Sequence, residues 1–140
     1  FAEACGELAR RFGLRPVLAP APNEVEIAAS IAALDSNIAT WRADASATLG
    51  GLKALVARSR LVLTNDTGPR HIAVALAVPV ITVMGPTDPR HTHCNLELQR
   101  VLREDVSCSP CQKKVCPIDH RCMTRLSPER AVKAAEELLE

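Results

Sequence analysis

At 140 residues, with 47% hydrophobic and 24% charged residues and a formal net charge of +1, the chain has the size and balance of a soluble domain with a real core. Near-neutral charge, basic pairs limited to Arg10-Arg11 and Lys113-Lys114, and 2% aromatic residues without a tyrosine exclude a nucleic-acid binder, which needs a basic field and stacking platforms. No apolar run is long enough to span a bilayer and no signal-type segment opens the chain, so a soluble, cytoplasmic protein is expected.

Phe1, Cys5, Leu8, Ala9 and Phe12 keep helical spacing, and Gly13 stands where a helix-ending glycine belongs. A chain that opens at Phe1 inside a helical pattern reads as a fragment of something longer. Residues 16–19 form a short apolar run bounded by prolines, a strand candidate. Asn23 with Glu26 three positions later predicts a capped helix start, carrying Ile27, Ile31 and Leu34 on one face. A brief strand is expected over 38–41, then a polar loop, then a helix over 52–58 behind the glycine pair Gly50-Gly51. The β-branched run 61–64 is a strand, and the alanine-rich run 72–78 a helix that cannot pass Pro79. Residues 79–84 are almost continuously apolar, as in a parallel strand covered on both faces. A last strand is expected over 100–102. Ser127-Pro128-Glu129 opens a closing helix that buries Ala131, Val132, Ala135, Leu138 and Leu139. Strands alternating with helices at short intervals predict an α/β fold, a Rossmann-like parallel sheet with helices on both faces, in one domain over 1–140 that includes a cysteine-bearing loop at 108–122.

The segment Asn65-Asp66-Thr67-Gly68-Pro69-Arg70-His71 carries the chemistry. A strand that breaks at Asp66-Thr67-Gly68 and restarts as a helix points unpaired N–H groups and the positive end of the helix dipole above the turn, which suits an anion such as a diphosphate. The bland alternative is an ordinary helix start, with Asp66 or Thr67 as N-cap and Pro69 in the first turn. Local pattern leaves the two level. His71 tilts the balance: a potential cation in the first turn is opposed by the dipole, and a ligand phosphate reverses that penalty. Gly85-Pro86-Thr87-Asp88-Pro89 follows the strand at 79–84 and falls at the same carboxyl edge, so the two turns are expected to line one crevice. Taken alone, that second turn is plain turn chemistry.

Val62-Leu63-Thr64-Asn65-Asp66-Thr67-Gly68-Pro69-Arg70-His71-Ile72-Ala73, followed by Pro79-Val80-Ile81-Thr82-Val83-Met84-Gly85-Pro86-Thr87-Asp88-Pro89, resembles the C-terminal half of glycosyltransferase family 9, the bacterial heptosyltransferases of lipopolysaccharide core assembly. The tail Cys108-Ser109-Pro110-Cys111, Cys116-Pro117, His120-Arg121-Cys122-Met123, Leu126-Ser127-Pro128-Glu129 looks like the heptosyltransferase II branch of that family. The likeness runs through nearly the whole chain and is weakest over 37–51. It implies the C-terminal, nucleotide-sugar-binding half of a GT-B fold, incomplete at its N-terminus. It also implies inverting transfer of heptose from ADP-heptose, or a related nucleotide sugar, to the lipopolysaccharide inner core, with no cofactor required at the reaction centre. Position by position, the N–H groups of Thr67 and Gly68 would hold the diphosphate, Asp66 would bind sugar hydroxyls, and His71 would support the phosphate side. Gly85, Pro86 and Thr87 would form the facing wall. The lipid-linked oligosaccharide acceptor and the catalytic base are implied to belong to an N-terminal domain not in this sequence, so no catalytic residue is assigned here and the fragment alone is expected to be inactive. Such an acceptor would bring the enzyme to the inner membrane peripherally. Asp88 and Asp35 are carboxylates with no spacing that supports either as base. Arg70 stands where the family has an apolar or small residue; it either adds a phosphate contact or points to solvent, and the solvent orientation is expected. The alternative function is a non-catalytic nucleotide-binding or zinc-bearing interaction module of the same fold.

Cys108, Cys111, Cys116 and Cys122 give CxxC and then gaps of four and five, with His120 beside the last. In a cytoplasmic protein such a cluster reads as a structural zinc site before disulfides, and ferredoxin-type iron–sulfur spacing is missing. Reduced or occasionally paired cysteines stapling a loop are the other reading, and spacing leaves both open. Cys5 is expected in the core, and His91, His93 and Cys94 in a solvated loop. No cysteine, histidine and carboxylate fall into a nucleophilic arrangement.

Overall fold

The computed structural model describes residues 1–41, 48–92 and 96–139. The chain divides into two compact units, Phe1–Leu55 and Val56–Glu140.

In the first unit, helix α1 (Ala2–Phe12) buries Ala4 and Leu8 and stops at Gly13, whose φ of 62° is the left-handed conformation that glycine adopts without a Cβ penalty. Strands β1 (Val17–Leu18) and β2 (Ala39–Thr40) pair in parallel, Val17 beside Ala39 and Leu18 beside Thr40. Between them lie a 3₁₀ turn, Pro22–Glu24, and helix α2 (Val25–Ala32). The cap differs from the expected Asn23–Glu26 pair. Glu24 reaches back to accept from the Ala21 N–H at 2.9 Å, because Pro22, with φ already set and no N–H to satisfy, starts the winding one residue before Asn23. The expected apolar face is mostly open: Ala28 is buried, but Ile27 is 63% and Leu34, beyond the helix end, 76% exposed. Helix α3 (Leu49–Ala57) begins ahead of the expected residue 52, since the Thr48 hydroxyl accepts from the Gly51 N–H at 3.1 Å and caps it. Gly51 is a contact requirement, not a breaker: a Cβ there would lie 2.8 Å from the Trp41 ring. The loop after Trp41 falls on residues 42–47, outside those described.

The second unit contains β3 (Val62–Asn65), α4 (Gly68–Ala75), β4 (Val80–Met84), β5 (Gln99–Arg103), α5 (Arg121–Thr124) and α6 (Pro128–Leu139). The strands form a parallel sheet in the order β3-β4-β5. Strand β4 is central, and Val80, Ile81 and Thr82 are fully buried, as its unbroken apolar run requires. Helix α4 packs on β3 and β4, α5 on β4, and α6 on β4 and β5. The closing helix buries Ala131, Val132, Ala134 and Ala135, with Leu138 and Leu139 half-buried, and is tied to the sheet by Arg130–Glu104 at 2.7 Å and Arg100–Glu137 at 2.8 Å. No helix among the described residues is long and apolar enough to cross a membrane.

Helix α4 ends without a glycine. Ala77 takes φ 53° while Val78 N–H donates to Ala73 O at 2.9 Å and Ala77 N–H to Val74 O at 3.2 Å, the paired bonds of a Schellman cap. An L-alanine held there is strained, so Ala77→Gly is expected to raise stability by about 0.5–1 kcal/mol. Urea denaturation checks it, and a midpoint shifted down contradicts the cap.

Candidate functional site

Register places the two motif turns side by side. Asn65 pairs with Val83 in adjacent parallel strands, so Asp66-Thr67-Gly68 leaves β3 and Gly85-Pro86-Thr87 leaves β4 at one carboxyl edge, where α/β sheets bind ligands. Thr67, Gly68 and His71 are exposed, and Asp66 is half-buried. Thr67 is extended, with φ −139°, and its carbonyl accepts from the Arg70 N–H at 3.1 Å, which begins α4. The Thr67 N–H is used within the turn, donating to Asn65 O at 2.8 Å. Its hydroxyl is only loosely engaged, 3.5 Å from both the Thr64 hydroxyl and the Asn65 carbonyl, at the edge of hydrogen bonding. The Gly68 N–H has no intrahelical partner. A Cβ placed on Gly68 would meet no atom within 4 Å, so the backbone there faces open space.

Arg70 does not point to solvent. It is 1% exposed, donates from Nη1 to Asp66 Oδ1 at 2.7 Å, and donates from Nε to Gln99 Oε1 at 3.1 Å. A guanidinium in the first turn of a helix is opposed by the dipole and by desolvation; a carboxylate four residues back offsets both. One oxygen of Asp66 is thereby fixed from below. The sequence carried a signal for this, since the dipole penalty that singles out His71 applies with more force to a permanently charged Arg70 paired by the i, i+4 spacing to Asp66.

The second turn is packed rather than open. Gly85 is buried, Pro86 and Thr87 are half-buried, and the Thr87 hydroxyl is buried without a partner. The cysteine loop covers this turn: Ser109 Oγ donates to Gly85 O at 2.7 Å and Gln112 N–H to Pro86 O at 2.9 Å. A Cβ on Gly85 would stand 2.6 Å from Met123 Sδ and 3.1 Å from Cys122 Sγ. Gly85→Ala is therefore expected to cost about 1–3 kcal/mol by overpacking, with part of the loss recovered in a Met123→Ala background. Equal losses in the two backgrounds would contradict the contact. The small cavity that Pro86 lines opens onto the cysteine loop and includes none of Asp66, Thr67 and Gly68.

Asp88 ends the turn, 6% exposed. Its carboxylate accepts from the Arg90 backbone N–H at 3.0 Å and from the Arg90 guanidinium, at 2.5 Å from Nη2. These bonds hold its carboxyl well below the usual aspartate range, so it is a poor base. A depressed folded-state pKa contributes stability above the unfolded value of about 3.9 and loses it as pH falls. Asp88→Ala should lower the melting temperature at pH 7, and the gap to wild type should narrow progressively as pH falls below about 4, closing only once the depressed native value is passed. A gap that persists to low pH would mean that charge is not its cause. Asp35, the other carboxylate considered as base, accepts from the Asn37 N–H and side-chain amide, both at 2.9 Å.

Cys108, Cys111, Cys116 and Cys122 are unpaired thiols that line a single cavity together with His120. Among the described residues no three His, Cys, Asp or Glu side chains stand in a ready-made coordination shell. Cys5 is half-buried, and burial pushes its thiol pKa up. His91 is exposed, while His93 and Cys94 lie outside the described residues.

A family model described as glycosyltransferase family 9 (heptosyltransferase) matches residues 6–121. The chain is 36% identical over 81 residues to lipooligosaccharide heptosyltransferase 2 of Campylobacter jejuni, a match covering 56% of the chain and 25% of that protein. It is 34% identical over 107 residues to lipopolysaccharide heptosyltransferase 1 of Pseudomonas aeruginosa, covering 66% of the chain and 30% of that protein. E. coli ADP-heptose lipopolysaccharide heptosyltransferase II shares the fold, with a TM-score of 0.79 at 23% identity over 99% of this chain and 40% of that one. E. coli heptosyltransferase WaaC with ADP superposes with a TM-score of 0.73 at 28% identity, covering 98% of this chain and 38% of that one.

Proposed function

Because the chain belongs to glycosyltransferase family 9, the heptosyltransferases, we propose that it is the donor-binding part of an inverting transferase that moves heptose from ADP-heptose to the lipopolysaccharide inner core. The observation that carries this is the exposed Asp66-Thr67-Gly68 turn: a helix N-terminus opening from the carboxyl edge of a parallel sheet, with empty space above Gly68. The Gly68 N–H and the Thr67 hydroxyl would take the diphosphate, with His71 beside them. Thr67 contributes its hydroxyl because its N–H serves the turn. Asp66, held through one oxygen by Arg70, offers the other to sugar hydroxyls. As the bond from heptose to ADP breaks, charge grows on the diphosphate, and donors fixed by the fold stabilise it without reorganising. Gly85-Pro86-Thr87 shapes the neighbouring wall. No carboxylate of this chain is assigned as base. The relatives include an enzyme with ADP and one with an ADP-2-deoxy-2-fluoro heptose, which supports an adenosine diphosphate sugar as donor. The relatives' lipopolysaccharide names support the reading of a lipid-linked acceptor, which would bring the enzyme to the cytoplasmic face of the inner membrane.

Calorimetry on the full-length protein tests the reading. ADP and ADP-heptose should both bind, and Asp66→Ala should weaken ADP-heptose about tenfold or more while ADP changes less. Failure of folded protein to bind either ligand overturns the donor site; equal losses overturn the sugar role of Asp66.

A further inference from the structure

We propose that Cys108, Cys111, Cys116 and Cys122 form a structural zinc site that fastens the cysteine loop over the end of β4. The four thiols line one cavity of about 60 Å³, and none is in a disulfide. Residues 104–120 contain neither helix nor strand, and a stretch that long without its own structure needs something else to order it. Apolar burial supplies little of this: Val106 is buried at the start of the segment, but Val115 is 80% and Ile118 62% exposed. Few hydrogen bonds do so either, the chief ones being those from the Ser109 hydroxyl and the Gln112 N–H to the Gly85-Pro86 turn.

Charge supports a metal. A tetrathiolate zinc centre carries two net negative charges, and the same cavity is lined by Lys113, Lys114 and Arg121 with only Asp119 opposing them. Arg121 is already paired with Asp119 at 2.8 Å, which leaves the exposed Lys113 and Lys114 as the cations that thiolates held on an ion would attract. Zinc matches the ligand set, since it takes four sulfurs at about 2.3 Å in closed structural sites. The thiols line the cavity rather than converge, and Cys108 is exposed, so binding must draw the loop inward, which a segment free of helix and strand permits. Cys122 Sγ lies 3.1 Å from a Cβ position on Gly85, so the ion would brace the wall beside the donor turn. The site stands or falls independently of nucleotide binding.

Full-length protein, purified reduced and without chelator, should contain about one zinc per chain by elemental analysis. Its four loop thiols should be slow to react until a chelator removes the metal. Replacing zinc by cobalt(II) should give the intense visible bands of tetrahedral thiolate coordination, a readout that needs no variant to fold. Cys111→Ser and Cys116→Ser should lose most of the zinc, and His120→Ala should keep it. Absence of stoichiometric metal after reconstitution of reduced protein, with all four thiols reacting freely, overturns the proposal. Loss of two hydrogen masses per cysteine pair in native protein overturns it in favour of disulfides, and zinc loss in His120→Ala overturns the all-cysteine ligand set.

Discussion

Arg70→Ala is expected to lower the stability of the protein by about 3–5 kcal/mol, the range for breaking a buried ion pair by removing one partner. Arg70 is 1% exposed, and the Asp66 side chain that it meets at 2.7 Å is only 13% exposed. Truncation leaves that carboxylate without its counter-charge, leaves Gln99 Oε1 without its donor, and opens a void under the first turn of α4. Each consequence is unfavourable. Arg70→Met, which retains bulk and loses only charge and donors, separates the terms: it should recover the void's share and keep the loss from an unpaired Asp66. Asp66→Ala combined with Arg70→Met should then cost less than the sum of the two singles, because the second change removes the charge the first one strands. Chemical denaturation of the set measures this. Additivity would mean that Asp66 and Arg70 do not support one another, and Asp66 would lose its fixed orientation as a ligand group.

The same pair marks where the sequence was legible and where it was not. Hydrophobic period and punctuation located every described strand and five of the six described α-helices, because an apolar run such as 79–84 has few ways to be buried. The shared edge of the two turns was also readable, since parallel strands joined by a single helix are neighbours in most folds. Helix starts were read less well. Thr48 and Glu24 act through hydrogen bonds whose partners depend on where the chain first winds, and a glycine pair beside Trp41 looks like a breaker until the ring is seen against it. The solvent orientation expected of Arg70 fails because burial of a charge depends on a residue far along the chain, Gln99, that no local pattern announces. Helix α5, four residues long and entered through a left-handed His120, has too few positions to display a period. Composition marked the cysteine loop as different, but not that it seals the Gly85-Pro86 turn.

Gly68→Ala should weaken ADP binding by about ten- to a hundredfold while leaving the fold as stable as wild type or slightly more so, by up to about 1 kcal/mol. Glycine is retained in proteins for a left-handed φ, for close approach by the chain itself, or for close approach by a ligand. Among the described glycines only Gly13 has positive φ, which removes the first reason at Gly68. A Cβ there meets nothing within 4 Å, which removes the second. The third is left, and it predicts a methyl group standing where the diphosphate would sit against the helix N-terminus. Gly13→Ala supplies the mirror image: equally open space but φ +62°, hence lower stability with ADP affinity unchanged. Gly85→Ala differs from both, since its methyl collides with Met123 and should cost stability first. Calorimetric titration with ADP, alongside urea denaturation of the three variants, separates the causes. Wild-type ADP affinity in Gly68→Ala would remove the diphosphate from this turn, whatever the family likeness implies.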